Sequence, residues 1–233
     1  MVIPPILYKY LVPDRFGDVL IERKIRFTQA CFLNDPFEFN PGSTPESAAR
    51  FQKWVGRRRS DTYREKASRD GVFCLTEDNK SIPMWTHYAA GHTGFVIGFD
   101  TSSDLFTSAA KSGKLNRVKY SERVNVTEGL ANPDAIFWTK SKEWEYEREW
   151  RWIESCRPDG YDEVRAGPGG ELFYLRSIPP QSIKELILGC RAKPVLADSV
   201  RAIRSTPDYR HLKLFAVTPD KTEYALAAGP LAP

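Results

Sequence analysis

Residues 144–154 read WEYEREWRWIE, and the interpretation of the whole chain starts from this stretch. Side chains alternate between the two faces of a β-strand. A strand here would place Trp150 and Trp152 on one face and Glu147, Glu149 and Arg151 on the other. Tryptophan, arginine and isoleucine together favour β structure. The pattern therefore predicts a strand from about residue 148, with its tryptophans buried and a turn of helix before it.

A helix is the alternative for the same stretch. It would bring Glu145 and Glu149 together at i, i+4 spacing and would pair Glu147 with Arg151. In the strand, Glu147 and Glu149 lie side by side, and like charges that close raise each other's pKa unless a cation such as Arg151 offsets them. A third interpretation gives these charges no chemical role, because they would form ordinary ion pairs at the edge of a sheet.

The composition is that of a soluble globular protein. Hydrophobic residues make up 41% of the 233 residues and charged residues 27%. No run approaches the ~20 apolar residues of a membrane-spanning helix, and the first residues lack the pattern of a secretory signal. We therefore expect no membrane partner. The net charge of +4 is too small to indicate nucleic-acid binding by itself.

The cysteines and histidines indicate a reducing compartment and no metal site. The four cysteines lie far apart without a C-x-x-C pair, which is typical of buried free thiols in a cytoplasmic protein. There are only three histidines, and they form no cluster with the cysteines. We expect a cytoplasmic protein that holds no metal.

The order of β and helical segments predicts the fold class. Short β runs dominate and are read at residues 7–11, 25–28, 71–78, 94–100, 115–121, 171–178, 183–189, 211–217 and 222–228. Helices are expected at 44–69, 82–92, 104–112 and 197–204, and the last two β runs form a hairpin around residues 218–221. We predict a single α+β domain over residues 1–228, with a mixed, mainly antiparallel split sheet flanked by helices, and a frayed tail at 229–233.

Two further clusters mix aromatic and polar residues. Residues 84–94 read MWTHYAAGHTG, with His87 and His92 five positions apart, a spacing that does not place both on one helical face. That spacing favours contact with a polar ligand, or a role in orienting the loop, over a metal site. Residues 34–38 read NDPFE, where Asn34 and Asp35 fix a turn before proline. Their side chains, with Glu38, are also candidates to line a pocket.

Together these motifs resemble a bacterial family catalogued as a domain of unknown function. The resemblance rests on YKY at 8–10, NDPFE at 34–38, MWTHYAAGHTG at 84–94 and WEYEREWR at 144–151, and it covers residues 7 to about 190 in the same order. The resemblance bears on the fold of the chain and implies no activity.

Glu147-Arg148-Glu149 is also similar to the E-x-E element of the ADP-ribosyltransferase superfamily, in the branch of DNA-modifying toxins. The resemblance implies NAD as substrate, Glu149 as the catalytic residue and Glu147 as the residue that places a nucleic-acid or protein acceptor. A carboxylate beside the ribose would stabilise the oxocarbenium-like transition state. The expected NAD-binding residues are Lys9, Tyr10, Arg26, Thr28, His87 and Tyr88, and further pocket candidates are Asn34, Asp35, Glu38, Trp85, His92 and Arg151.

Three functions follow from these patterns. The first is an ADP-ribosyltransferase-like enzyme, a bacterial toxin or phage-defence effector. The second is a non-catalytic defence module that senses a nucleotide-like small molecule or a peptide. The third is a nuclease in which the carboxylates of Glu147, Glu149, Asp35 and Glu38 hold Mg²⁺.

Overall fold

The computed structural model describes residues 2–35, 37, 70–107, 113–122, 133–155, 161–167 and 172–231. The helix predicted over 44–69 and the candidate Glu38 lie outside these residues. The chain divides into two compact units. The first unit comprises residues 1–25, 75–111 and 177–233, and the second unit comprises residues 26–74 and 112–176.

The described residues form strands joined by short helices. The strands are β1 (Ile6–Leu11), β2 (Lys24–Gln29), β3 (Asp70–Thr76), β4 (Phe95–Asp100), β5 (Lys114–Arg117), β6 (Lys119–Ser121), β7 (Thr139–Ser141), β8 (Glu149–Ser155), β9 (Glu163–Ala166), β10 (Leu172–Ser177), β11 (Ile183–Leu188), β12 (Lys213–Pro219) and β13 (Leu226–Pro230). The α-helices are α1 (Ile82–Tyr88), α2 (Asp104–Thr107) and α3 (Pro194–Arg204). A π-helical turn spans Gly17–Ile21, and 3₁₀ turns span Pro13–Arg15, Ala30–Phe32, Pro133–Trp138, Lys142–Glu147, Pro180–Ser182 and Pro207–Tyr209.

The first unit is built on a sheet with the strand order β13-β12-β11-β4-β1. The pairs β1/β4, β4/β11 and β12/β13 are antiparallel, whereas β11 and β12 run parallel. A parallel pair needs a crossover connection, and α3 supplies it. Strand β4 is buried along almost its whole length, which is why its sequence FVIGFD is continuously apolar up to Asp100.

Helix α1 begins where the sequence carries two start signals. Ser81 caps it, since the Ser81 hydroxyl oxygen accepts a hydrogen bond from the Met84 N–H at 3.4 Å, and Pro83 lies in its first turn. The helix buries Met84 and Trp85, and it packs against β1. Helix α1 therefore fixes Trp85 in the core.

The second unit has an aromatic core. Strands β2, β3, β9, β10, β8 and β5 build it, with β8 paired to both β3 and β5. The ring of Phe27 lies 5.2 Å from that of Trp152, 5.6 Å from that of Tyr161 and 5.6 Å from that of Phe73. Edge-to-face and tilted ring pairs of this kind add to the stabilisation that comes from burial.

The predicted fold class is confirmed, because the strand pairs are mainly antiparallel and only a few helices accompany them. The strand predicted over residues 148–153 is confirmed as β8, and a 3₁₀ turn precedes it. The single domain over 1–228 stays a prediction.

Several element predictions were wrong in detail, and the helix predicted over 82–92 ends at Tyr88. The run at 115–121 is broken at Val118, whose N–H donates to the Glu149 carbonyl, so that β5 pairs with β8 and β6 with β7. The final hairpin turns over residues 220–225 because Asp220 organises a longer loop, and β13 begins only at Leu226. Gly229 and Pro230, expected in a frayed tail, lie in β13.

Among the described residues, no helix is long and apolar enough to cross a membrane. Cys74 and Cys190 are half-buried, and neither forms a disulfide within the described residues.

Candidate functional site

The motif at 144–154 forms a buried ion cluster in the second unit. The cluster consists of Lys140 on β7, Glu147 at the end of the 3₁₀ turn, and Glu149 and Arg151 on β8, and each of the four is at most 6% exposed. Arg148 adopts a left-handed conformation, with φ 44°, where the turn gives way to the strand. This local geometry turns the carboxylates of Glu147 and Glu149 toward one ammonium group.

Every charge in the buried ion cluster has a close partner of opposite sign. Arg151 Nε lies 2.8 Å from Glu149 Oε1, and Arg151 Nη2 lies 2.9 Å from Glu149 Oε2. Lys140 Nζ lies 2.6 Å from Glu147 Oε2 and 3.4 Å from Glu149 Oε2. Arg151 also donates to the Phe137 carbonyl at 3.0 Å. Two cations and two carboxylates cancel, so the cluster adds no net charge to the interior.

The partners of Glu149 determine its ionisation. Burial alone would raise its pKa, but the charges of Arg151 and Lys140 outweigh burial and lower the pKa from 4.5 to about 2. The thiol of Cys74 donates a further hydrogen bond to the ionised form. Glu149 is therefore an ionised carboxylate with both oxygens engaged, in an arrangement suited to joining β7 to β8.

The remaining predicted residues fall into several environments. In the first unit, the Tyr10 hydroxyl donates to the Asp78 carbonyl at 2.9 Å, and its ring meets Trp85 edge to face at 5.2 Å. Lys9 is half-buried on β1, with Ile97 as its register partner. His87 is exposed and Tyr88 is half-buried at the end of α1, with their rings 6.3 Å apart.

In the second unit, the Arg26 guanidinium lies 3.5 Å from the centre of the Phe173 ring. Thr28 faces Val72 across the β2/β3 pair. Asn34 is exposed, and Asp35 is buried with Oδ1 accepting a hydrogen bond from the Phe37 N–H at 2.9 Å. The structure thus groups Tyr10, Trp85 and His92 in the first unit and Glu147, Glu149 and Arg151 in the second unit.

A cavity of about 520 Å³ opens in the first unit beside His92. It lies where β11 and β12 end, and its walls are Ile82, His92, Cys190, Arg191 and the hairpin loop with its flanking residues, 219–226. Of these wall residues, only His92 was predicted from the sequence as a pocket residue. The signal that would have found them is the succession β11-α3-β12, because ligands of α/β sheets bind beyond the carboxyl ends of parallel strands.

His92 sits in a tight turn that follows α1. Ala90, Gly91 and His92 all have positive φ, at 50°, 62° and 71°. For a residue other than glycine this conformation costs of order 1–3 kcal/mol, and such residues cluster at functional sites. The turn is closed by the N–H of His92, which donates to the Trp85 carbonyl at 3.2 Å, and by the N–H of Gly94, which donates to Ala89 at 2.9 Å.

The loop after β11 is fastened to this turn by close backbone contact. The N–H of Arg191 donates to the His92 carbonyl at 3.0 Å, and the N–H of Gly189 donates to Gly94 at 3.0 Å. A Cβ on Gly189 would lie 2.1 Å from the His92 carbonyl oxygen, so only glycine permits this approach. The positions of His92 and Arg191 in the cavity wall are therefore coupled.

The protonation state of His92 follows from its neighbours. Burial, and then the charge of Arg191, lower its pKa below the ordinary 6.5, so the ring is neutral at pH 7. Thr86 Oγ1 donates its hydrogen to the Ile82 carbonyl at 2.9 Å, so it can only accept from His92 Nε2, 3.4 Å away. This hydrogen bond assigns the ring hydrogen to Nε2 and leaves Nδ1 as an acceptor.

The hairpin loop that closes the cavity is held by Asp220. Its Oδ1 accepts hydrogen bonds from the N–H and the hydroxyl of Thr222, at 2.8 and 2.9 Å, and from the N–H of Glu223 at 3.0 Å. These bonds lower the pKa of Asp220. Lys221, Glu223 and Tyr224 stay exposed on this ordered loop.

No metal-ligand group is formed by the part of the chain that the structure describes, since no three His, Cys, Asp or Glu side chains lie together there. The cavity wall carries cationic, anionic, neutral hydrogen-bonding and aromatic groups.

The molecule is thus an α+β protein with a buried ion cluster in one unit and an open cavity in the other. Residues 84–152 match the model of a family described as a protein of unknown function (DUF2971). This segment runs from the first buried residue of α1 to Trp152 and includes His92, Glu147, Glu149 and Arg151. The predicted resemblance to a domain of unknown function is confirmed for these residues. No curated protein and no solved structure matches the chain.

Proposed function

We propose that the protein is a non-catalytic binding module whose ligand is a small phosphate-bearing molecule, held in the cavity of the first unit. The nucleotide-like partner predicted from the sequence belongs to this chemical class, as does NAD. The observation that carries the proposal is the place of the cavity, at the carboxyl ends of β11 and β12, with Arg191 and Lys221 in its wall.

The loop after β11 brings a cation to the cavity. This loop runs from Gly189 to Lys193, and α3 follows from Pro194. Arg191 lies in the loop and lines the cavity, so that its guanidinium can meet a phosphate there.

The charges of the cavity wall support the same ligand. Arg191 and Lys221 are exposed, and neither forms an ion pair within the described residues. The wall also carries two acids, Asp220, whose Oδ1 is held by its own loop, and Glu223. Charge-assisted hydrogen bonds to phosphate oxygens are the strong kind.

The buried ion cluster supports binding over catalysis. A catalytic Glu149 would have to reach the ribose of NAD, but its two oxygens are engaged by Arg151 and it is only 3% exposed. A role in holding β8 accounts for all four charges without a substrate. ADP-ribosyl transfer, the acceptor, and a part in toxicity or phage defence remain predictions from the sequence.

The test is calorimetric titration of the purified protein with ATP, ADP, AMP and NAD. We expect binding that weakens about tenfold or more in Arg191→Ala and in Lys221→Ala, since each removes a charge-assisted contact. Arg210→Ala is the matched control, because Arg210 is exposed in the same unit and does not line the cavity. Absence of binding at millimolar concentration, or equal losses in the control, would refute the proposal.

A parallel assay separates binding from catalysis. Nicotinamide release from NAD is measured for the wild type and for Glu149→Gln, with thermal melts to verify folding. We expect no release by either protein. Release by the wild type that is lost in a folded Glu149→Gln variant would establish the enzyme and contradict the non-catalytic module.

A further inference from the structure

We infer that the ligand of this cavity is a nucleotide whose base stacks on Tyr224, and not an inorganic or sugar phosphate. This inference rests on the proposed function, since it concerns the same cavity. It is carried by an aromatic ring that the fold presents to solvent at the cavity rim, on the loop that also carries Lys221.

The side chain of Tyr224 is fully exposed to solvent. Its relative accessibility is 106%, the highest among the large hydrophobic residues exposed in the described chain. A folded protein normally gains stability when the faces of an aromatic ring are buried. The ring of Tyr224 makes no contact with another ring in the described residues, so both faces are available to a planar partner.

The loop that carries Tyr224 is held by its own hydrogen bonds. Three hydrogen bonds to Asp220 Oδ1 and one from the Asp220 N–H to the Ala225 carbonyl, at 2.9 Å, fix the backbone on both sides of Tyr224. A ring on such a loop loses little backbone freedom when it binds, which favours affinity. The loop thus holds an aromatic surface at the cavity without burying it.

The surrounding groups complete the match to a nucleotide. Lys221 and Arg191 offer positive charge for phosphate, and Tyr224 offers a face for a base. Glu223, an acceptor on the same loop, suits the hydroxyl donors of a ribose. Ile82 and Leu226 add apolar wall to the same cavity, as a stacked base requires. Inorganic and sugar phosphates lack a partner for Tyr224.

The experiment compares ADP, ribose 5-phosphate and inorganic pyrophosphate as ligands of the full chain by calorimetry. We expect ADP to bind roughly five- to a hundredfold more tightly than the other two, which is the contribution of one base stacked on an aromatic side chain. Tyr224→Ala should remove this advantage and leave pyrophosphate binding unchanged, whereas Tyr224→Trp should keep it. Phe32→Ala, at an exposed ring in the second unit, is the control and should change nothing.

The outcomes of this experiment distinguish a failure of base stacking on Tyr224 from a failure of the proposed phosphate site. If pyrophosphate binds and ADP binds no better, or if Tyr224→Ala keeps the preference for ADP, the stacking inference is overturned and the phosphate site stands. If none of the three ligands binds the folded wild type, the proposed function fails and the inference falls with it.

Discussion

Arg151 holds both carboxylate oxygens of Glu149, with its Nε 2.8 Å from Oε1 and its Nη2 2.9 Å from Oε2, although the two residues are only two positions apart on β8. Alternate residues of a strand share one face, which allows this two-point contact. The pair is buried, so water does not take the place of either residue when that residue is removed.

Replacing Arg151 alone should therefore be costly. We expect Arg151→Met to lower the free energy of unfolding by about 3–5 kcal/mol, because it leaves Glu149 buried with Lys140 as its remaining cation. Urea denaturation followed by far-UV circular dichroism measures the change. Arg165→Met is the control, since the Arg165–Glu163 pair is largely exposed and should contribute less than about 1 kcal/mol. A loss below 1 kcal/mol in Arg151→Met would contradict the role given to the cluster.

Acid should destabilise the protein partly through Glu149. Its pKa in the folded protein is about 2, against 4.5 as the ordinary value, so its contribution is fully present above about pH 4.5 and is lost as the pH falls toward 2. We expect stability to fall more steeply between pH 5 and pH 2.5 in the wild type than in Glu149→Gln. Thermal melts across this range measure both slopes, and parallel slopes would show that Glu149 does not titrate as described.

Gly189 should not tolerate a side chain. A Cβ would lie 2.1 Å from the His92 carbonyl oxygen, so Gly189→Ala must displace either the loop after β11 or the turn at residues 90–92. We expect a lower melting temperature and loss of ligand binding in the cavity. Gly229→Ala is the matched control, because nothing lies within 4 Å of its Cβ position. A Gly189→Ala variant as stable as this control would show that the contact is not required.

His92 should be neutral under ordinary conditions. Burial and the charge of Arg191 both lower its pKa below 6.5, so we expect its imidazole resonances to show the neutral ring at pH 7 and to shift only in more acidic buffer. Arg191→Ala removes the smaller of the two causes and should raise the pKa partway toward 6.5. NMR titration measures both values. A distant substitution, Arg210→Ala, should leave the pKa of His92 unchanged, and a His92 that is charged at pH 7 would contradict the assignment.

The strand at residues 149–155 was predictable because its alternation is local. The burial of both of its faces was not, since side chains that pack on them, such as Phe27 against Trp152, come from distant parts of the sequence. For this reason Glu149 was expected beside a substrate and is found among charged side chains in the interior. The alternation fixes which side chains share a face but not what covers that face.

The cavity was only partly predictable for a similar reason. His92 stands out because the aromatic segment around it mixes polar groups, but Arg191 and Tyr224 belong to loops that look ordinary in the sequence. They line the same cavity as His92 because β11 and β12 are parallel neighbours in the sheet. The order of strands in a sheet cannot be read from these loops. The end of β12 was misjudged as well, because the side chain of Asp220 lengthens the turn.

The buried ion cluster also has a consequence for the order of events in folding. Its ion pairs join residues two, seven and nine positions apart, so closing these contacts costs little chain entropy. Strand β3, which is distant in the sequence, adds the contact of Cys74 with Glu149 and so helps to remove water from the cluster. We expect the full strength of the pairs to arise after the rate-limiting step, so that Arg151→Met accelerates unfolding much more than it slows refolding in stopped-flow measurements.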